Sequence, residues 1–237
     1  MSDTLVVIPA YNEERNIGKV LADIRNTIED IDILVVNDGS SDETEKIVRA
    51  QGIGIISLPY NMGYGGALQT GFKYAVQNNY KYVIQFDADG QHDPEDIANI
   101  RTELRKGIAD IIIGSRFLGG SSLKTGFLKR AAISLFRFLI KHYTKQKITD
   151  PTSGLKRRTF SHYAAMGNYP DDFPDADILI QMIRSKYRVY EVPADMHIRD
   201  SGKSMHSGLK PIYYLVKILL CIVIVLLREK TLKEVEE

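Results

Sequence analysis

The stretch YKYVIQFDADGQHD, residues 80–93, joins an apolar β-strand pattern to a cluster of acidic and polar side chains. Asp87 and Asp89 stand two positions apart, so in an extended backbone both side chains point to the same side. Two neighbouring carboxylates repel each other, and a hard divalent cation with oxygen ligands, Mg²⁺ or Mn²⁺, would offset that repulsion. Gln91 offers a further carbonyl oxygen. The alternative is an acidic surface turn that helps the next helix to begin.

Four more apolar runs of this kind recur along the chain: LVVIPA, DILVVNDG, GIISLP and DIIIGSR. Near-continuous apolar runs are typical of strands that are covered on both faces of a mostly parallel sheet. The pattern predicts an α/β fold, a doubly wound open sheet with helices on both faces. In such folds ligands bind outside the carboxyl ends of the strands, where this chain carries its polar motifs.

Local signals place helices between the strands. Apolar residues repeat at helical spacing from Ile17 to Ile28. Ser40 with Glu43 is a candidate capping box for the second helix. Asp93 precedes Pro94, which predicts a helix beginning at that proline.

Composition limits the classes of protein to consider. The 237 residues, 44% of them hydrophobic, suit one large α/β domain or two small ones. The formal net charge is only +1, so the protein has no strong positive potential that would attract nucleic acid. Nucleic acid is therefore not expected as a partner. The single cysteine excludes an intramolecular disulfide framework and fits a reducing compartment. The first residues run straight into a strand, which predicts no signal peptide.

Two segments have an amphiphilic character. Residues 116–147 contain eight Lys or Arg and no acidic residue, and 127–142 form a basic amphipathic helical pattern with aromatic residues. Such a helix fits a membrane surface, or a core helix with a solvated basic side. Residues 211–227 are apolar apart from Lys217, which fits a single membrane pass, an interfacial helix or a buried helix. We therefore divide the chain into 1–208, a membrane-associated or transmembrane helix at 209–228, and a charged tail at 229–237.

Four ordered motifs, PAYNEE, VVNDGSSD, DADGQHD and GSR, together resemble the inverting family 2 glycosyltransferases of the GT-A fold. Within that family the chain looks most like the dolichol- or polyprenyl-phosphate sugar synthases. The resemblance extends to about residue 208, so 1–208 is the expected GT-A domain. It implies an enzyme that is metal-dependent and moves a hexose from a nucleotide-sugar to a polyprenyl phosphate, dolichyl or undecaprenyl, at the cytoplasmic face of the cell membrane.

The resemblance also assigns residues. Asp89, Arg116 and Arg199 are the expected catalytic residues, and Asp87, Asp89 and Gln91 the expected ligands of Mg²⁺ or Mn²⁺. Arg116 is expected to face the acceptor phosphate, with Arg130 of the basic segment beside it. Met205 stands where the family often has a lysine, which leaves Lys203 as the candidate substitute. The nucleotide-sugar site is expected to comprise Pro9, Tyr11, Glu13, Asp38, Asp87, Ala88, Asp89, Arg199 and Lys203.

Two other functions remain open at this stage. A glycosyltransferase that extends a cell-surface saccharide would use a hydroxyl acceptor and would need a general base, for which Asp175 or Asp177 is the candidate. A non-catalytic nucleotide-binding membrane module would need no metal, which the pair Asp87 and Asp89 argues against. The expected partners are the nucleotide-diphosphate sugar, the polyprenyl phosphate and a lipid surface, with a homo-oligomer left open.

Overall fold

The computed structural model describes residues 2–118, 127–151, 176–195 and 210–227 of the chain. The candidates Asp175, Arg199 and Lys203 lie outside the described residues. The described strands are β1 Thr4–Ala10, β2 Asp32–Asn37, β3 Gly54–Ser57, β4 Tyr82–Gln85, β5 Ile111–Ser115 and β6 Val189–Pro193. The described helices are α1 Ile17–Thr27, α2 Thr44–Ala50, α3 Tyr64–Gln77, α4 Pro94–Arg105, α5 Phe127–Thr144, α6 Ala176–Arg184 and α7 Lys210–Leu227.

The strands form two parallel ladders. One is a four-stranded sheet in the order β3-β2-β1-β4, and the other pairs β5 with β6. All five predicted strands are present and every described pairing is parallel, as expected. The predicted parallel α/β fold is therefore confirmed. Within the described residues, β5 pairs with β6, a strand that the sequence pattern did not predict, and not with the four-stranded sheet.

Helices cover both faces of the strands, as a doubly wound α/β fold requires. One apolar cluster packs α1 and α4 against the sheet, and it includes the buried Ile17, Leu21 and Ile24 of the predicted helical repeat. Asp93 caps α4 as predicted, since its side chain accepts the N–H of Glu95 at 2.9 Å. The Ser40 capping box was wrong: α2 begins at Thr44, and the Ser40 hydroxyl instead accepts the N–H of Asn12.

The opposite cluster gathers α3, α5, α6 and α7. Helix α5 buries Ile133, Phe136 and Ile140 and exposes Arg130 and Phe138, so the predicted amphipathic pattern is present.

Helix α7 packs on the same core. It buries Ile218 and Ile222, while Val216, Leu220, Val223 and Ile224 on its other side are exposed. None of the helices within the described ranges is long and apolar enough to cross a membrane.

Candidate active site

The carboxyl ends of β1, β2 and β4 bring the predicted donor-site residues to one edge of the four-stranded sheet. Pro9 lies buried within β1, and the loop after β1 leaves Tyr11 exposed. This loop is bound to the beginning of α2, because the N–H of Glu13 donates to the Thr44 hydroxyl at 2.9 Å. The Glu13 carboxylate accepts the side-chain N–H of Asn16 at 2.6 Å.

Asp38 follows β2 and is buried. Its two carboxylate oxygens accept the N–H groups of Met62 and Gly63, at 2.7 and 3.0 Å. Burial raises the pKa of Asp38 above its usual range, and the two N–H groups oppose that rise. The structure therefore shows Asp38 holding the turn before α3, and contact with the donor stays a prediction.

The turn that Asp38 holds packs closely on its neighbours. Gly39 has a φ of +68°, and a Cβ there would lie 2.7 Å from the backbone carbon of Tyr60. Only glycine fits both the conformation and the space. Gly39 therefore allows the loop after β2 to lie directly against the turn before α3.

Asp87 and Asp89 lie half-buried just beyond β4, with the buried Ala88 between them. One oxygen of Asp87 accepts the Tyr64 hydroxyl at 2.7 Å, and that hydroxyl accepts Nε2 of Gln85 at 2.6 Å. The other oxygen lies 3.6 Å from Nε2 of His92. Asp89 accepts the backbone N–H of Gln91 at 3.1 Å, and the role of Gln91 as a metal ligand stays a prediction.

Positive charge offsets the repulsion between the two carboxylates. Burial by itself would raise the pKa of Asp87, but His92, the Tyr64 hydroxyl and the charge of Arg116 hold it below its usual value. Burial by itself would lower the pKa of His92, but the nearby Asp87 and Asp89 raise it above its ordinary value. His92 and Arg116 therefore both favour the ionised form of Asp87.

The sequence analysis missed His92 and Tyr64 as members of this site. His92 is buried, and its Nδ1 has no hydrogen-bond partner in the described part of the chain. Neither His92 nor Tyr64 stands at a spacing in the sequence that marks it as a site residue. The signal is the position of His92 inside the acidic stretch itself, where a cation next to two carboxylates is of use.

Arg116 ends β5 and is buried, with 8% of its surface exposed. Its Nε and Nη2 donate to the two oxygens of Asp150, both at 2.6 Å, and its backbone N–H donates to Asp150 at 3.1 Å. Asp150 is fully buried. The charge of Arg116 also contributes to lowering the pKa of Asp87, after the larger effects of His92 and the Tyr64 hydroxyl.

Two other candidates lie on helices α5 and α6. Arg130 is exposed in the first turns of α5. Asp177 is buried in the first turn of α6, and it adds to the effect of burial in raising the pKa of Cys221 on α7. Only 3% of the surface of Asp177 is exposed, which leaves an acceptor little access to it as a general base.

The residues around Asp87 fit a hard cation by their chemistry. Carboxylate and amide oxygens are the ligands that Mg²⁺ and Mn²⁺ prefer, and such sites are commonly completed by phosphate oxygens. No group of three or more His, Cys, Asp or Glu side chains is arranged as a metal site within the described ranges. Protein ligands drawn from Asp87, Asp89 and Gln91 would thus leave positions for a substrate.

The profile of a family described as "Glycosyl transferase family 2" matches residues 5–166. A UDP-N-acetylglucosamine–dolichyl-phosphate N-acetylglucosaminyltransferase from Methanococcus voltae is 33% identical, over 69% of this chain and 72% of that protein. The polyprenol monophosphomannose synthase of Mycolicibacterium smegmatis is 28% identical, over 86% of this chain and 81% of that protein.

A solved structure has the same fold. The mannosyltransferase of Pyrobaculum calidifontis, crystallised with GDP-Man and Mn²⁺, matches 97% of this chain and 65% of its own with a TM-score of 0.66. The two sequences are 18% identical, so this likeness supports the fold alone.

Proposed function

We propose, because this chain belongs to glycosyl transferase family 2, that it transfers a sugar from a nucleotide-diphosphate sugar to a polyprenyl phosphate. The observation that carries the proposal is Arg116, a buried cation directly after β5 that both carboxylate oxygens of Asp150 hold in place. Relatives named for dolichyl-phosphate and polyprenol-phosphate products support the same acceptor class. A site of this kind places positive charge between two phosphate-bearing substrates.

On the donor side, Asp87, Asp89 and Gln91 would hold Mg²⁺ or Mn²⁺. The ion would supply stabilisation of the charge that develops on the departing nucleoside diphosphate. Tyr64 and His92 orient Asp87 through the contacts described above. Tyr11 lies exposed at the same edge, where it can cover a nucleotide. We assign Arg199 and Lys203 to the diphosphate from the sequence resemblance.

On the acceptor side, a lipid phosphate is already anionic and needs no general base. It needs positive charge, because two anions that approach within about 3–3.5 Å of each other in a shielded cleft repel strongly. In this proposal the guanidinium of Arg116, held by Asp150 through Nε and Nη2, offers the phosphate a charged group at a fixed position. Arg130 is exposed nearby in sequence and can add a second charge from α5.

The exposed side chains of α5 and α7 support docking on a membrane surface. Phe138 is 62% exposed on α5, next to the exposed Lys141, and Leu220 is 60% exposed on α7. Exposed apolar side chains of this size, accompanied by basic residues, are typical of helices that lie in the lipid interface. We place the protein at the cytoplasmic face, where a lipid-linked acceptor would be within reach.

A hydroxyl acceptor is the second candidate, and it requires a general base. The burial of Asp177 argues against that residue. The test is a screen of nucleotide-sugars with polyprenyl phosphate, the matching prenyl alcohol and free sugars, each with Mg²⁺ or Mn²⁺. We expect transfer to the phosphate alone. Equal transfer to the alcohol or to a sugar would contradict the proposal, and failure to release nucleoside diphosphate would favour a non-catalytic module.

The role of Arg116 has its own assay. Arg116→Ala should cut transfer sharply while donor affinity, measured by titration, changes little. Lysine should restore activity only in part, because it loses the planar fork. Loss of donor affinity together with an unchanged response to acceptor would assign Arg116 to the diphosphate instead.

A further inference from the structure

Glu191 lies in the middle of β6 and holds a neighbouring segment rather than a charged partner. Its Oε2 accepts the N–H of Thr149 at 2.7 Å. Its Oε1 accepts the Thr149 hydroxyl at 3.0 Å and the N–H of Asp150 at 2.8 Å. Both carboxylate oxygens are therefore used to fix two consecutive residues.

Thr149 is fastened from two further directions. Its hydroxyl lies 2.6 Å from the hydroxyl of Ser115 on β5, and its carbonyl accepts Nε of Arg137 on α5 at 2.6 Å. Residues 145–151 belong to no helix or strand. Side-chain hydrogen bonds therefore hold this segment in place, as backbone hydrogen bonds hold a helix or a strand. Strands β5 and β6 and helix α5 thus meet on Thr149.

The next residue along the chain is Asp150, which grips Arg116. Its carboxylate can meet both Nε and Nη2 of Arg116 only from one position, because the guanidinium fork is rigid. A shift of the 149–150 backbone would turn the guanidinium, and with it the N–H groups that Asp150 does not use. A chain of hydrogen bonds thus runs from Glu191 to the N–H of Asp150, and from the Asp150 carboxylate to Arg116.

We propose that Glu191 and Thr149 are positioning residues that aim Arg116 at the acceptor phosphate. The inference rests on the proposed function, since it takes Arg116 as the group that meets that phosphate. Neither residue touches a substrate in this proposal. Their effect is on the placement of a guanidinium in a reaction where a displacement of about 1 Å can lower the rate by about 100-fold.

Glu191→Gln is the first test. An amide has one acceptor oxygen, so at least one N–H or O–H group of residues 149–150 loses its partner. We expect kcat/KM for polyprenyl phosphate to fall by about 10- to 100-fold. The affinity for nucleoside diphosphate with Mn²⁺, measured by calorimetry, should stay at the wild-type value.

Substitutions of Thr149 provide a second test, which does not depend on whether the Glu191→Gln variant folds. Thr149→Val keeps the shape and the backbone N–H but removes the hydroxyl that meets Ser115 and Glu191. Thr149→Ser keeps the hydroxyl. We expect a lower acceptor kcat/KM in the valine variant and recovery in the serine variant, at equal donor affinity.

Asp110→Asn is the matched control. Asp110 holds Arg188 with the same set of atoms as Asp150 holds Arg116, but at the opposite end of the β5–β6 pair. Breaking this exposed clamp should leave the acceptor kinetics unchanged.

The outcomes separate the two proposals. Absence of wild-type transfer to polyprenyl phosphate would overturn the proposed function, and this inference with it. If the wild type transfers, wild-type acceptor kinetics in Glu191→Gln would overturn the inference alone. So would an equal loss of donor affinity and acceptor kcat/KM, or a serine variant as impaired as the valine variant.

Discussion

Two arginine–aspartate ion pairs lie at opposite ends of the β5–β6 pair. They allow a direct test of how burial changes the contribution of an ion pair to the stability of the protein. In both, the backbone N–H, Nε and Nη2 of the arginine donate to the two aspartate oxygens. The Arg116 and Asp150 side chains are 9% and 0% exposed, whereas those of Arg188 and Asp110 are 59% and 22% exposed. The chemistry is the same and the surroundings differ.

Asp150→Asn should strongly destabilise the protein, because it removes the carboxylate charge that Nε and Nη2 of the buried Arg116 meet. Removing one member of a buried pair costs about 3–5 kcal/mol. For a chain of this size about 2–4 °C of Tm corresponds to each kcal/mol, so Tm should fall by roughly 6–20 °C. Asp110→Asn should leave Tm close to the wild-type value, because water and salt screen the exposed pair.

Thermal unfolding followed by circular dichroism measures both variants under identical conditions. The double change Arg116→Met with Asp150→Asn should recover part of the lost stability, since it removes the orphaned charge. Equal changes in Tm for Asp150→Asn and Asp110→Asn would refute the reasoning. A double variant no more stable than Asp150→Asn would show that the loss comes from packing and not from an unpaired charge.

Three other predictions concern the metal, the membrane and pH. Asp89→Ala should abolish transfer and the Mn²⁺-dependent binding of nucleoside diphosphate while leaving Tm unchanged, and retained activity at saturating donor would remove the metal hypothesis. Leu220→Glu should reduce sedimentation with anionic vesicles without lowering Tm, because Leu220 lies on the exposed side of α7; high salt should weaken whatever binding the basic residues supply, at about 1 kcal/mol each. Burial raises the pKa of Asp96 from 3.8 to about 6, so its neutral form favours folding below pH 4 and that contribution is lost as the pH rises through 6. Asp96→Asn should therefore stabilise the protein by up to about 3 kcal/mol at pH 8 and by almost nothing at pH 4, whereas an equal effect at both pH values would show that the carboxyl does not titrate in this range.

Deletion of 209–237 is a less informative test of membrane binding than it looks from the sequence. Ile218 and Ile222 of α7 are buried in the core, so removing the helix would uncover the apolar faces of α6 and its neighbours. A truncated protein would then associate with membranes or with itself for reasons unrelated to a docking surface. Substitution of exposed residues of α7 keeps the core intact.

The sequence by itself determined the class of fold and the family. Strands covered on both faces must be apolar along their whole length, and that requirement is visible in five separate runs without knowledge of any contact. The carboxyl ends of those strands carry the four motifs, and the resemblance to family 2 glycosyltransferases that they predicted is confirmed. Asp93 with Pro94 marked the start of α4, because a cap is set by residues adjacent in the chain.

Tertiary structure decided what the polar groups do, because their partners are distant in sequence. Ser40 has the local signature of a helix cap, but the loop after β1 comes close enough to take its hydroxyl. Arg116 meets Asp150 34 residues later, and Asp150 is held by Glu191 a further 41 residues on. Spacing along the chain contains no information about such contacts, which exist only once β5 and β6 lie side by side. The same holds for α7, whose apolar sequence suits a membrane or a core equally until Ile218 and Ile222 are seen to be covered and Leu220 is not.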